Sequence, residues 1–203
     1  MESIKIKNLT KLFYKHNLLE ENFKVTLNNH IEKLFIKYLN NDNYINNNPR
    51  NNSQSALWFG NKDYKYWKYK TLKATYFSND DILTKVCRIV SVANNLPENY
   101  FNSIYINRFI NGGIGKHHDN DFIFKNSKEW IDGKKIIISS LTLGAGCDIS
   151  IFDNYQNIEP IYKITVNDNS LYTMGENFQN NFLHQVGISK GIRYSLTFRK
   201  IIF

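Results

Sequence analysis

From residue 135 onward the sequence is a succession of short apolar segments separated by polar turns, which is typical of β-strands. Two segments with helical periodicity, residues 22–39 and 82–94, precede this succession. Strands that follow two helices predict an α+β protein: a double-stranded β-helix, or jelly roll, with two supporting N-terminal helices. The predicted strands after residue 134 are Lys135–Leu143, Cys147–Phe152, Ile161–Val166, Ser170–Met174, Phe182–Ile188 and Ile192–Ile202.

The length and composition favour one folded domain. The chain has 203 residues, of which 42% are hydrophobic and 15% aromatic, and this excludes a disordered protein. No internal repeat divides it, so we expect a single domain over residues 1–203. Residues 1–56 would form an N-terminal extension with one helix and an Asn-rich surface loop at Asn40–Ser55, and residues 100–203 the jelly-roll core.

A metal-binding pattern follows the strand that begins near Ile104. The strand ends at a Gly-Gly turn, and His117 and Asp119 come next. On an extended backbone these two side chains point the same way. One imidazole and one carboxylate are two of the three protein ligands in a 2-His-1-carboxylate Fe(II) site, and His184 offers the third. Taken alone, His-x-Asp also fits a hydrogen-bonded pair or two solvated loop residues.

The C-terminal strand carries two arginines on one face. Its alternation places four polar side chains on that face and apolar side chains on the other. Because a guanidinium binds carboxylates through a planar fork, such a face can hold a small dicarboxylate beside a metal. The alternative is a sheet face whose arginines reach water. The four polar residues are Arg193, Ser195, Thr197 and Arg199.

These motifs resemble those of the AlkB family in their order and spacing, from about Leu57 to Lys200. The resemblance is most specific at the RYSLTFR sequence near the C-terminus. The segment LYTMGENFQNNFLHQV, residues 171–186, is similar to the AlkB domains of viral replicase polyproteins. The matching motifs are Asn107-Arg108-Phe109, His117-x-Asp119, His184 and Arg193-x-Ser195-x-Thr197-Phe198-Arg199.

The resemblance implies a dioxygenase that uses Fe(II), the cosubstrate 2-oxoglutarate and O2, and that oxidatively demethylates nucleic-acid bases. It implies that Arg199 binds the distal carboxylate of 2-oxoglutarate and that Arg193 assists. Phe109 departs from the family pattern, which has Tyr there, so we expect weaker 2-oxoglutarate binding. The implied metal ligands are His117, Asp119 and His184, and the implied cosubstrate-binding residues are Asn107, Arg193, Ser195 and Arg199.

The resemblance also implies a nucleotide-recognition lid at residues 57–76, where aromatic residues and lysines alternate. Its proposed substrate-binding residues are Phe59, Tyr64 and Tyr66, although a hairpin with aromatics inward and lysines outward would alternate in the same way. Asp121 matches a family acid that hydrogen-bonds the exocyclic amine of a damaged base, which makes it a catalytic and substrate-binding candidate. This favours 1-methyladenine or 3-methylcytosine, but Phe122 departs from the usual Glu.

The charge and the cysteines indicate a binding partner and a cellular compartment. A net charge of +8 and a pI near 9.3 favour a nucleic-acid partner, which we expect to be single-stranded DNA or RNA. Two cysteines make no disulfide framework, and no segment has the length of a membrane span or a signal-peptide pattern. We therefore expect a monomer in the cytoplasm or nucleus, neither secreted nor bound to a membrane.

Three other functions are compatible with parts of the pattern. A 2-oxoglutarate dioxygenase acting on protein side chains needs the metal ligands and arginines but not the lysine-aromatic segment. A catalytically inactive nucleic-acid-binding relative needs neither the ligands nor the arginines. A Zn or Mn hydrolase on a similar barrel needs the ligands but not Arg193 and Arg199.

Overall fold

Two antiparallel β-sheets lie face to face, and two helices cover the outer face of the larger sheet. The structure is a computed structural model, and it describes residues 2–6, 10–41, 45–47, 53–60, 64–66, 70–73, 75, 79–119 and 136–200. The prediction of an α+β double-stranded β-helix with two supporting helices is confirmed. No helix in these residues is long and apolar enough to span a membrane.

The strands after residue 134 agree with the sequence-based segments to within a few residues. Earlier in the chain, the Asn-rich segment predicted as a loop contains a short strand, β3, which pairs with β4. The described residues form β1 Glu2–Ile6, β2 Thr10–Lys15, β3 Ile45–Asn47, β4 Gln54–Phe59, β5 Tyr64–Tyr66, β6 Lys70–Leu72, β7 Ser103–Ile110, β8 Ile114–His117, β9 Ile138–Gly144, β10 Cys147–Phe152, β11 Tyr162–Val166, β12 Ser170–Met174, β13 Leu183–Val186 and β14 Ile192–Arg199.

The order of the strands places β14 in the middle of the larger sheet. That sheet runs β1-β2-β12-β9-β14-β7-β4-β3, the smaller sheet runs β11-β10-β13-β8, and β5 pairs with β6. Every residue of β14 except Ile192 is buried. A central strand is covered on both faces here because helices lie on one side and the smaller sheet on the other.

Two helices support the larger sheet. They are α1, Glu21–Tyr38, and α2, Asp81–Ala93, and each buries one apolar stripe. Asp80 begins α2 as its N-cap, since its carboxylate accepts a hydrogen bond from Leu83 N at 3.0 Å. The same carboxylate lies 2.6 Å from His30 Nε2 on α1, which ties the two helices together. A third helix, α3, is short, Phe178–Asn181.

The larger sheet separates two apolar cores. The first lies between this sheet and the helices, and it includes Leu196 and Phe198 of β14. The second lies between the two sheets, and it includes Tyr172 and Met174 of β12. Since side chains alternate along a strand, the remaining side chains of β14 point between the sheets, and these are the four polar residues of the C-terminal motif.

Candidate metal centre

The smaller sheet brings two histidines together. His117 ends β8, and His184 lies directly opposite it on β13. Their ring centroids are 4.1 Å apart. Asp119, two residues beyond β8, turns its carboxylate towards both rings, and one ligand atom from each of the three residues lies within 4.8 Å of the others. This spacing is what one metal ion with three protein ligands requires.

The histidine nitrogens are oriented for metal binding. His117 Nε2 lies 3.6 Å and His184 Nε2 3.9 Å from the same oxygen, Asp119 Oδ1. His117 Nδ1 lies 2.8 Å from the backbone carbonyl of Gly115, so the proton belongs on Nδ1 and the Nε2 lone pair faces the centre. A hydrogen bond on the far nitrogen is the usual way in which a protein fixes the tautomer of a metal-binding histidine.

The electrostatics keep His184 and Asp119 in the protonation states of ligands. Burial lowers the pKa of His184 to about 3, and the nearby His117 adds to this effect, so the imidazole is neutral at pH 7. Burial alone would raise the pKa of Asp119, but the Arg199 guanidinium and the two histidines hold it well below its usual range. Arg199 Nη2 lies 3.5 Å from Asp119 Oδ2. Metal binding needs a neutral imidazole and an ionised carboxylate at these two positions.

A glutamine positions the aspartate. Gln179, on α3, accepts a hydrogen bond from the backbone N–H of Asp119 at 2.9 Å, and its own amide N–H lies 3.2 Å from Met174 Sδ. Gln179 is buried. Gln179 lies within the 171–186 segment that resembles the family, and the structure places its side chain against the backbone of the carboxylate ligand.

A buried guanidinium marks a second part of the site. Arg193 is 0% exposed, and its Nη2 donates to Thr142 Oγ1 at 3.1 Å. Its Nε and Nη1 have no hydrogen-bond partner among the residues that the structure describes. A buried cation with unpaired donors is costly unless an anion joins it. Arg193 therefore does not reach water, and it fits a carboxylate-binding role.

Two other predicted cosubstrate-binding residues line the same space. Ser195 Oγ lies 2.9 Å from Ser140 Oγ, and Asn107 lies opposite Ser195 on the neighbouring strand β7. Asn107 Oδ1 accepts a hydrogen bond from Gln54 Nε2 at 3.1 Å. All of these residues point between the sheets, so the structure brings the predicted cosubstrate residues to one wall.

The two arginines lie at different ends of β14. Arg199 is beside the metal ligand Asp119, whereas Arg193 lies six residues away along β14, or about 20 Å of strand at ~3.3 Å per residue. Arg199 is therefore the arginine at the metal end of the strand, and its expected contact with the distal carboxylate stays a prediction.

The predicted substrate-binding residues do not lie together among the described residues. Phe59 is 0% exposed in the core under the helices, on the face of β4 that points away from the metal, so its expected contact with a base is corrected. Its neighbour Trp58 lies on the other face, with its ring 6.4 Å from that of Tyr105. Tyr64 and Tyr66 form β5, but their side chains lie outside the described residues, as does all of Asp121.

Comparison with known proteins identifies the fold. A scan against protein-family models and a search of curated proteins find no match. Among solved structures, the chain is similar to OsALKBH1, with a TM-score of 0.69 and 13% sequence identity, over 93% of this chain and 97% of that one. At this identity the likeness establishes the fold alone, which is AlkB-like.

Proposed function

We propose that this protein is an Fe(II)- and 2-oxoglutarate-dependent dioxygenase that oxidatively demethylates N-alkylated bases of the 1-methyladenine or 3-methylcytosine type in DNA or RNA. The observation that carries the proposal is the convergence of His117, Asp119 and His184 within 4.8 Å on an AlkB-like fold. The buried Arg193, with donors that lack partners among the described residues, makes 2-oxoglutarate the expected cosubstrate.

The donor set fits Fe(II). Two imidazole nitrogens and one carboxylate oxygen on one side of an ion leave the remaining coordination positions open, as in the oxygenases that use this set of ligands. His117, Asp119 and His184 would hold Fe(II), which together with 2-oxoglutarate and O2 would supply the oxidation of an N-methyl group to a hydroxymethyl group, with succinate and CO2 as co-products. A hydroxymethyl group on a ring nitrogen leaves as formaldehyde, which restores the base.

The protein residues around the ion would bind and orient the cosubstrate. Arg199 would neutralise charge at the metal end, where it already faces Asp119. Arg193 would bind the distal carboxylate through its unpaired N–H groups, and Ser195 and Asn107 would contact the cosubstrate between them. The closed walls exclude water because nearly all of these side chains are buried.

The charge of the chain supports a nucleic-acid substrate. A net charge of +8 favours contact with phosphates, and the lysine-aromatic segment at residues 57–76 combines the two side-chain types that bind single strands. An enzyme that acts on a base must hold it out of the stack. On this proposal Tyr64, Tyr66 and Asp121 contact the base, and single-stranded DNA or RNA is the substrate.

The test is a reconstitution assay. The protein is loaded with Fe(II) and 2-oxoglutarate without oxygen, and oxygen is then added with matched single-stranded DNA and RNA that carry 1-methyladenine or 3-methylcytosine. Mass spectrometry measures the demethylated base and formaldehyde, and the DNA-to-RNA ratio identifies the preferred polymer. His184→Ala is the control variant, because it removes one of the three ligands.

Each outcome selects one function. Demethylation by the wild type but not by His184→Ala supports the proposal. Succinate formed without base repair contradicts the nucleic-acid part of the proposal and directs the assay to methylated peptides. The absence of succinate with every substrate contradicts the dioxygenase itself and favours an inactive nucleic-acid-binding protein.

A further inference from the structure

The buried wall around Arg193 includes a tyrosine that the sequence motifs do not identify. Tyr172 lies on β12, opposite Ser140 on β9, and Ser140 lies opposite Thr197 on β14. Residues directly opposite each other in an antiparallel pair project to the same face of the sheet. Tyr172, which is 3% exposed, therefore points between the two sheets, into the same space as Arg193 and Ser195.

Hydroxyl groups connect Tyr172 to the predicted cosubstrate residues. Tyr172 lies directly opposite Ser140, and Ser140 Oγ lies 2.9 Å from Ser195 Oγ. One row further along, Thr142 accepts a hydrogen bond from Arg193. The wall thus presents four hydroxyls and one guanidinium, which is a suitable lining for a carboxylate and an unsuitable one for an apolar group.

The protonation state of Tyr172 makes it a hydrogen-bond donor. Burial raises its pKa to about 12, although the positive charge of Arg193 acts in the opposite direction. Tyr172 and Arg193 project from the same face of the sheet, and both carry donor groups. Two donors that face one buried space can both be satisfied by one anion placed between them.

The opposite side of Arg193 lacks a hydroxyl. Phe109, on β7, is 0% exposed, and its ring centroid lies 5.3 Å from Arg193 Cζ. The family pattern has a tyrosine at this position, and the substitution removes a hydroxyl from the pocket. β7 and β12 lie on opposite sides of β14 in the sheet order. Phe109 is directly opposite Arg193, and Tyr172 lies on the other side of β14, two strands away in the row of Thr197.

We propose that Tyr172 binds the distal carboxylate of 2-oxoglutarate through its phenol hydroxyl and so supplies the hydrogen bond that Phe109 cannot make. This inference rests on the proposed function, because it needs 2-oxoglutarate as the ligand. It changes the expectation from the sequence: the pocket keeps a phenol on the same wall as Arg193, and 2-oxoglutarate binding is not weakened by Phe109.

The test is calorimetric titration of 2-oxoglutarate into Mn(II)-loaded protein, which measures binding without turnover. Tyr172→Phe should weaken 2-oxoglutarate binding about 10- to 100-fold, as expected for a lost hydrogen bond to a charged group. 2-Oxopentanoate, which has a methyl group in place of the distal carboxylate, should bind equally to wild type and variant. Equal losses for both ligands would assign Tyr172 a structural role and overturn the proposal.

Two further variants control the experiment. Tyr14→Phe removes the hydroxyl of a buried tyrosine that lies opposite Tyr172 on β2 but bonds to Ser170 and to the backbone of Thr165, and it should leave 2-oxoglutarate binding within twofold of wild type. Phe109→Tyr should change binding little by itself and restore most of the affinity in the Tyr172→Phe background.

The outcomes separate this inference from the proposed function. Wild-type protein that binds 2-oxoglutarate, together with an unchanged Tyr172→Phe variant, overturns the role of Tyr172 and leaves the dioxygenase standing. Wild-type protein that binds Mn(II) but no 2-oxoglutarate overturns both, since Tyr172 would then have no carboxylate to bind.

Discussion

Arg199 Nη2 lies 3.5 Å from Asp119 Oδ2, so a guanidinium on the central strand β14 contacts the carboxylate ligand. The contact keeps Asp119 ionised in a buried place, where burial alone would raise the pKa of its carboxyl group. It also fixes which arginine lies at the metal end of the pocket. The remaining arginine, Arg193, lies deeper and has unpaired donors within the described structure.

Removing one histidine ligand should abolish metal binding. His184→Ala leaves only His117 and Asp119, and two ligands hold a divalent ion much more weakly than three. We expect calorimetry with Co(II) or Mn(II) to show a loss of affinity of at least about 100-fold. His30→Ala is the matched control, since His30 joins the two helices through Asp80; it should change stability and leave metal affinity intact. Wild-type affinity in His184→Ala would exclude His184 as a ligand.

Gln179 should act on the metal through Asp119. Gln179→Leu removes the acceptor for the Asp119 backbone N–H and leaves the carboxylate less firmly oriented. We expect metal affinity to fall about 10-fold, as is common for residues that orient a ligand. Asn180→Ala, an exposed neighbour on α3, should have no effect. If both variants bind metal like the wild type, Gln179 has no positioning role.

Arg193 should lower the stability of the ligand-free protein and favour the binding of 2-oxoglutarate. In the ligand-free protein its guanidinium is buried with unpaired N–H groups, so Arg193→Met should leave the melting temperature unchanged or raise it. The same change should eliminate 2-oxoglutarate binding. Thermal denaturation with and without 2-oxoglutarate measures both effects. A large drop in the melting temperature of the ligand-free variant would show that Arg193 is mainly structural.

The stability of the metal-free protein should fall as the pH is lowered from 6.5. The folded-state pKa of His184 is about 3 and the unfolded value is about 6.5, so the unfolded chain binds the additional proton between these values. The resulting slope is close to 1.4 kcal/mol per pH unit. Asp119 contributes little above pH ~5, because its carboxyl group is ionised there both in the folded state, where its pKa is lowered, and in the unfolded state, where its pKa is ordinary. Urea unfolding of wild type and His184→Gln between pH 4.5 and 7 gives the slopes; parallel slopes contradict the assignment.

Phe59 should be a structural residue. Because it is fully buried beneath the helices, Phe59→Leu should cost about 1 kcal/mol of stability and leave the KM for a methylated oligonucleotide unchanged. Tyr66→Ala, in the predicted lid, should raise that KM. Kinetics with one oligonucleotide compare the two variants. A raised KM for a fully folded Phe59→Leu variant would show that Phe59 contributes to the substrate site.

The predictable parts of the site depend on local geometry. The i, i+2 rule places His117 and Asp119 together, and the period of β14 separates its polar face from its apolar face. Each of these two predictions requires only the sequence of one short segment. The pairing of His184 with His117 joins two strands far apart in sequence, so the spacing of neighbouring residues does not predict it; the need for a third ligand and the family resemblance indicate it.

The less predictable parts lie where both faces of a strand are buried. In β4 both Trp58 and Phe59 are almost fully buried, so hydrophobicity does not reveal which of them faces the metal. In β14 the spacing of the two arginines is clear from the sequence, but the end nearest the metal depends on how the sheets are assembled. Tyr172 carries no local sequence signal, because the residue opposite it, Ser140, lies on another strand.

Succinate formed from 2-oxoglutarate in the presence of Fe(II), O2 and a single-stranded oligonucleotide with 1-methyladenine is the most direct measure of the proposed activity. We expect the wild type to form succinate and formaldehyde in equal amounts, and His184→Ala and Arg193→Met to form neither. Equal succinate formation by the wild type and His184→Ala, or none by fully Fe(II)-loaded wild type with any methylated nucleic acid or peptide, would contradict the proposed activity.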